Sequence, residues 1–119
     1  MAVLTRDQIL QANDLPREVV EVPEWGGQVI VRALTGTERD AWEAETFKLN
    51  GQTVQPDLRD IRARLVARAV IDESGARLFT DRDVAQLGAK SAAALIRVFE
   101  VAQRLSGLRA EDLKEMRGN

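Results

Sequence analysis

Apolar residues form two kinds of pattern along the chain, clusters of β-branched residues and a helical spacing, and the clusters predict a hairpin near the N-terminus. β-Branched residues cluster at 19–22 and again at 29–31. The residues between them, 23–27, contain a proline and paired glycines, which suit a reversal of the chain. This pattern predicts a β-hairpin with a five-residue loop and with Trp25 at its tip. Because a lone hairpin is marginal in water, one face must pack on helices or pair with another chain.

Elsewhere apolar residues recur at the spacing of an α-helix, and each helical stretch follows a residue that can cap it. The last of these stretches is apolar on more than one side, which is typical of a helix in a core or at an interface. Residues 50–56 predict a polar loop, and residues 72–75 predict a turn that either closes a very small hairpin or joins two helices. The predicted helices cover residues 1–13, 35 to about 50, 57 to about 72, 80–88 and 91–105, with Thr5, Thr35, Asp57, Thr80 and Ser91 as caps.

These elements predict an α+β fold, mostly α, with an N-terminal β-hairpin packed on about four to five helices. The chain has 119 residues, of which 45% are apolar, so it can bury one core of ordinary size but not two. We therefore expect a single small domain over 1–119, with the hairpin at about 17–34 and the helical part at about 35–116. Residues 109–116 are expected to add a terminal turn.

The amino-acid composition excludes several classes of catalytic and metal-binding site. The chain contains no histidine and no cysteine, which excludes Ser-His-Asp triads, thiol nucleophiles, zinc fingers and iron–sulfur sites. The acidic stretch from Asp72 to Asp83 lacks the glycine and glutamate positions of a calcium-binding EF-hand loop, so we expect no metal. By elimination, the sequence predicts a binding or assembly protein without catalytic residues or a cofactor, not an enzyme.

The charge balance bears on the kind of partner. With 17 basic and 19 acidic residues the net charge is −2, which argues against a protein dominated by contacts with nucleic-acid phosphates. One predicted helix carries four arginines that could grip phosphates, but aspartates flank them and a solvated face explains them as well. The sequence has no apolar run of about 18 residues, so we expect no membrane-spanning helix. We also expect no secretory leader. The arginines are Arg59, Arg62, Arg64 and Arg68.

Two runs of sequence carry a family resemblance. The first, VEVPEWGGQVIVRALTGTER, occupies residues 20–39 and follows Asp14-Leu15-Pro16; the second, DESGARLFTDRDV, occupies residues 72–84. With Leu87-Gly88 and the segment 105–108, they resemble the tail assembly chaperones of long-tailed, non-contractile bacteriophages and prophages. The resemblance extends from about Ile9 to Asp112.

The resemblance implies a non-enzymatic role in the cytoplasm of the bacterial host and absence from the mature virion. Such proteins coat the tape measure protein, a long, helical and rather apolar chain, and keep it soluble until tail tube subunits polymerise around it. The implied partners are the tape measure protein and the tail tube protein, with a frameshifted longer form and a homo-oligomer as further possibilities. Nucleic acid and membrane are not among them.

A coating protein needs accessible apolar surface for an apolar helix. The candidate partner-binding residues are aromatic or basic, although aromatic residues at helical spacing more often pack in a core. Two other functions stay open: a virion structural protein, such as a head–tail connector or tail terminator, and a small nucleic-acid-binding regulator that uses the arginine face. The candidates are Trp25, Trp42, Phe47, Phe99, Arg62 and Arg68.

Overall fold

The computed structural model describes residues 2–50, 53–56 and 58–108, with the backbone alone for 48–50 and 53–56. Five α-helices and five short strands lie within these residues, so the predicted α+β, mostly helical fold is confirmed. The helices are α1 (Arg6–Gln11), α2 (Gly36–Thr46), α3 (Ile61–Ala69), α4 (Val84–Gly88) and α5 (Ala92–Leu105). The strands are β1 (Arg17–Val22), β2 (Gly27–Arg32), β3 (Phe47–Asn50), β4 (Thr53–Pro56) and β5 (Val70–Ile71).

The predicted hairpin is present as the antiparallel pair β1–β2, in a register that places Val19 opposite Ile30. A 3₁₀ turn over Pro23–Trp25 and Gly26, whose φ of 76° lies in the left-handed region, connect the strands. Gly27 pairs with Val22, so the loop has four residues, one fewer than predicted. The strand β5 pairs with the other side of β2, which completes a three-stranded sheet in the order β1-β2-β5.

The core lies between the inner face of this sheet and the helices α3 and α5. Alternate residues of the hairpin, such as Val20, Val22 and Val31, are buried there, as the period of two requires. The helix α5 contributes Val98 and Phe99 from its apolar side. Other buried members of this core are Leu34, Trp42, Ala63, Leu65, Val66, Ala67, Ala69, Val70, Leu87, Ala94, Leu95, Ala102 and Leu108.

The polar loop predicted at residues 50–56 is wrong for residues 50 and 53–56; residues 51 and 52 lie outside the described part of the chain. The helix α2 ends at Thr46, and β3 and β4 pair antiparallel with Phe47 opposite Pro56 and Asn50 opposite Thr53. Strand pairing thus prevails over continuation of the predicted helix to about residue 50.

The helix α3 is shorter at both ends than predicted. The predicted cap Asp57 lies outside the described residues, and the helix begins after Asp60, whose φ is 52°. At its other end Val70 and Ile71 leave the helix and pair with β2, because β-branched side chains favour a sheet edge over a last helical turn. The helix therefore ends at Ala69 and not near Asp72.

The side chains of the predicted caps Thr5, Thr35 and Ser91 accept hydrogen bonds from backbone amides near the start of a helix. At the predicted cap Thr80, the amide and the hydroxyl donate to the carboxylate of Asp83. The turn after β5 closes a very small hairpin, since Ile71 bridges to Arg77 and the amide of Leu78 donates to the carbonyl of Val70. Of the two alternatives for residues 72–75, the hairpin is therefore the correct one. The terminal turn expected at 109–116 lies outside the described residues.

Candidate partner-binding surfaces

An open groove of about 650 Å³ lies between the tip of the β1–β2 hairpin and the segment leading into α4 and α5. We refer to it as the tip groove. Its apolar wall combines one aromatic residue from the hairpin with three apolar residues from the second segment, and charged residues stand at its rim. The lining residues are Glu24, Trp25, Leu78, Phe79, Asp83, Gln86, Leu87 and Lys90.

Leu78 is the most exposed apolar side chain of the tip groove. It is 53% exposed, whereas Trp25 and Phe79 are partly buried and pack against the core. Leu78 follows the small hairpin after β5, whose turn uses Gly75 at a φ of 93°. Fixed turns on both sides thus hold the groove open in the folded protein, and a large apolar side chain lines it without being covered.

An ion pair anchors the hairpin tip to the body of the protein. Two guanidinium nitrogens of Arg97, on α5, donate to the two carboxylate oxygens of Glu24 at 2.6 and 3.0 Å. These hydrogen bonds lower the pKa of the Glu24 carboxyl and raise that of Arg97. Trp25 therefore sits against the protein with its ring in the groove wall. Its Nε1 is buried without a hydrogen-bond partner in the part of the chain that the structure describes.

The other aromatic candidates lie deeper. Trp42 is 0% exposed, and its Nε1 donates to the carbonyl oxygen of Ile61 at 3.1 Å, which ties α2 to α3. Phe99 is buried in the core, and Phe47 is half-buried at the start of β3. In the folded chain Trp42 and Phe99 thus stabilise the core and offer almost no surface to a partner.

The two arginine candidates have different surroundings. Arg62 is exposed, and its guanidinium lies 5.8 Å from the centroid of the Phe99 ring, within the range of a cation–π contact. Arg68 is only 6% exposed and donates to Glu45 at 2.5 Å. The interpretation of all four arginines as one solvated face is therefore wrong for Arg68, because this side chain pairs with α2 inside the fold.

A second, smaller groove of about 230 Å³ runs between the start of α3 and the start of α5. We refer to it as the side groove. Leu58 and Ile96 are its exposed apolar residues, and Lys90 lines this groove as well as the tip groove. The floor includes Gly88, where an added Cβ would lie 2.4 Å from Oδ1 of Asp60. The full lining is Leu58, Asp60, Ile61, Arg62, Ala63, Gly88, Lys90, Ala92, Leu95 and Ile96.

The N-terminal segment of residues 2–13, which we term the arm, is a further apolar surface. Its helix α1 has a complete capping box between Thr5 and Gln8 but contains no buried residue. Val3, Leu4, Ile9 and Leu10 are between 56% and 95% exposed. A six-residue helix is marginal by itself, so the arm combines local order with apolar surface that the rest of the chain does not cover.

The described part of the chain shows no group of three or more acidic residues placed to hold a metal ion. None of its helices is long and apolar enough to cross a membrane. Most of the exposed large apolar side chains among the described residues lie in the two grooves and the arm. A model of the family described as phage tail assembly chaperone matches residues 5–118.

The chain belongs to the phage tail assembly chaperone family. The resemblance noted in the two sequence runs is thereby confirmed. Its fold is similar to that in the "Structure of bacteriophage HK97 tail assembly chaperone", with a TM-score of 0.59 and 18% sequence identity, over 83% of this chain and 90% of the other. No curated protein matches the chain. Membership of this family indicates a non-enzymatic assembly factor of phage tails, whose partners are tail-assembly proteins in general.

Of the residues that line the tip groove, only Trp25 was a candidate from the sequence. Leu78, Phe79, Leu87 and Lys90 belong to short segments without a clear period. The sequence did contain one signal for this groove, the position of Leu78 shortly after a predicted turn. A large apolar residue at such a position must either be covered by the fold or bind a partner.

Proposed function

We propose that the protein binds apolar helical segments of the tape measure protein in the tip groove, keeps that protein soluble and helps to recruit tail tube subunits. The observation that carries this proposal is the uncovered apolar wall formed by Trp25, Leu78 and Phe79. An amphipathic helix buries its apolar face in a groove of this kind. The protein acts in the cytoplasm of the host and leaves before the virion is complete.

The size of the groove agrees with reversible binding. Full burial of one leucine or phenylalanine contributes roughly 1.5–3 kcal/mol. Because Leu78 is about half exposed, covering it contributes about 1 kcal/mol by the same measure. A few such side chains give weak binding at each copy, which polymerising tube subunits can displace. Many copies are then needed along one long client.

Self-association is part of the same proposal. The apolar arm is not covered by its own chain, and within the described residues β1 pairs with another strand on one side only. Both features suit contacts between copies, since unpaired strand edges and exposed apolar helices find partners. A longer form produced by frameshifting would carry the same surfaces and join the same assembly.

Co-expression with a phage tape measure protein tests the proposal. Wild-type protein should raise the soluble fraction of the tape measure protein, and Leu78→Ser should lower that fraction toward the level without chaperone. Ala44→Ser is the matched control, because Ala44 is exposed on α2 outside both grooves. An unchanged soluble fraction with wild type, or equal effects of the two variants, would contradict the proposal.

Mass spectrometry of purified particles addresses the alternative role. The proposed chaperone should be missing from mature particles. Its presence at a fixed copy number would favour a head–tail connector or tail terminator.

A further inference from the structure

Lys90 belongs to the lining of both the tip groove and the side groove, and so lies where the two grooves meet. The residue follows α4, with its amide donating to the carbonyl of Leu87 at 3.0 Å. The side chain is exposed. Apolar surface therefore borders one positive charge on both sides, with Leu78 in one groove and Ile96 in the other.

Other charges at the rim of the tip groove have partners within the protein. Glu24 is paired with Arg97 through two hydrogen bonds. The carboxylate of Asp83 accepts from the amide and the hydroxyl of Thr80 at 2.8 and 3.2 Å. Among the described residues, no carboxylate lies within ion-pair distance of Lys90. Among the charged residues that line the tip groove, Lys90 thus has neither a hydrogen-bond nor an ion-pair partner for its side chain in the part of the chain that the structure describes.

The side groove adds one group of each sign. Arg62 lies over the ring of Phe99, and the carboxylate of Asp60 lies against Gly88, where the missing Cβ leaves it room. Neither group places a carboxylate on Lys90. A helix covering both grooves would take water from the Lys90 ammonium, which is unfavourable unless the helix supplies an acceptor.

We infer that Lys90 makes the protein select helical client segments in which an acidic residue stands between apolar residues on one face. The inference rests on the proposed function and names the chemistry of its partner. In such a helix, apolar residues three or four positions before and after a glutamate lie on the same face. They would enter the two grooves while the carboxylate pairs with Lys90. A purely apolar or basic segment would bind more weakly, because it leaves the ammonium unpaired or repels it.

Binding of designed helical peptides to the full chain tests this inference. Three labelled peptides share one leucine face and differ in its central residue, which is glutamate, glutamine or lysine. Fluorescence anisotropy should show the wild-type protein binding the glutamate peptide about fivefold more tightly than the glutamine peptide, the upper range for an exposed ion pair. Added salt should reduce this preference.

Variants assign the preference to Lys90. Lys90→Glu should reverse it toward the lysine peptide, and Lys90→Met should abolish it. Arg82→Glu is the control, since Arg82 is an exposed cation nearby that lines neither groove, and it should keep the wild-type preference. Melting temperatures of all variants show whether Lys90 acts only by stabilising the C-terminal end of α4.

Equal binding of the glutamate and glutamine peptides by wild type would overturn the inference and leave the proposed function standing. A Lys90→Met variant with a lowered melting temperature and an unchanged preference would also overturn it. If the wild-type protein binds none of the three peptides, the result contradicts the binding of apolar helices in the groove and therefore also the proposed function.

Discussion

Replacement of Trp42 by phenylalanine separates a core role of this residue from a partner-binding role. Trp42 has no exposed surface, and its Nε1 donates to the Ile61 carbonyl at 3.1 Å. Loss of that hydrogen bond costs about 1 kcal/mol. The smaller ring leaves unfilled volume between α2 and α3, which costs roughly another 1–2 kcal/mol.

These losses predict that Trp42→Phe lowers the free energy of unfolding by about 2–3 kcal/mol. For a domain of this length, each kcal/mol shifts the melting temperature by about 4 °C, so the expected fall is roughly 10 °C. Thermal unfolding followed by circular dichroism measures it. Client binding, measured well below the melting temperature, should stay near the wild-type value because the ring is not at the surface.

Two results would refute this reasoning. A melting temperature within about 3 °C of wild type, less than one kcal/mol on the same scale, would show that Trp42 contributes little to the core. A large loss of client binding at unchanged stability would show that Trp42 contacts the partner. The second result would return Trp42 to the set of binding residues expected from the sequence.

Three further predictions concern the hairpin tip and one turn. Trp25→Ala should weaken client binding severalfold while lowering the melting temperature less than Trp42→Phe does, as peptide binding and calorimetry will show. Gly75→Ala should lower the free energy of unfolding by about 1 kcal/mol, because a φ of 93° strains any residue with a side chain. Gly27→Ala is the control: this residue has an ordinary φ and open space around it, so the free energy of unfolding measured in urea should stay within about 0.5 kcal/mol of wild type. Equal effects of the two substitutions would contradict this reasoning. Arg97 lowers the pKa of Glu24 in the folded protein. The ion pair therefore stabilises the fold at pH values above the ordinary glutamate pKa of about 4.3. This stabilisation is lost as the pH falls through the lower pKa that Glu24 has in the folded state. Glu24→Gln should therefore melt below wild type at neutral pH, with the difference vanishing in acid, and a difference independent of pH would exclude the ion pair as its source.

The sequence predicted the elements whose signals are local. Capping boxes at Thr5 and Thr35 and the β-branched cluster at residues 19–22 depend on neighbours within a few positions, and the structure confirms them. The strand β5 was predicted as the end of a helix, because its pairing with β2 joins residues some forty positions apart. Such long-range pairing leaves no local signal beyond two β-branched residues.

The candidate site was harder to predict than the fold, because exposure is a property of the assembled chain. Trp25 and Trp42 were both candidate partner-binding residues, yet one lines a groove and the other fills the core. Arg68 likewise follows the period of an exposed face but pairs with Glu45 on α2. Which aromatic and which arginine face solvent depends on how α2 crosses α3, and the spacing of residues does not contain that information.

Site-specific photo-cross-linking tests the central claim, that the tip groove holds the tape measure protein. A photoreactive amino acid would replace Leu78 in the groove or, as control, Ala44 on α2, and each variant would be co-expressed with the tape measure protein and irradiated. We predict a cross-linked product of the combined mass from position 78 and none from position 44. No product from position 78, or equal products from both positions, would contradict the claim.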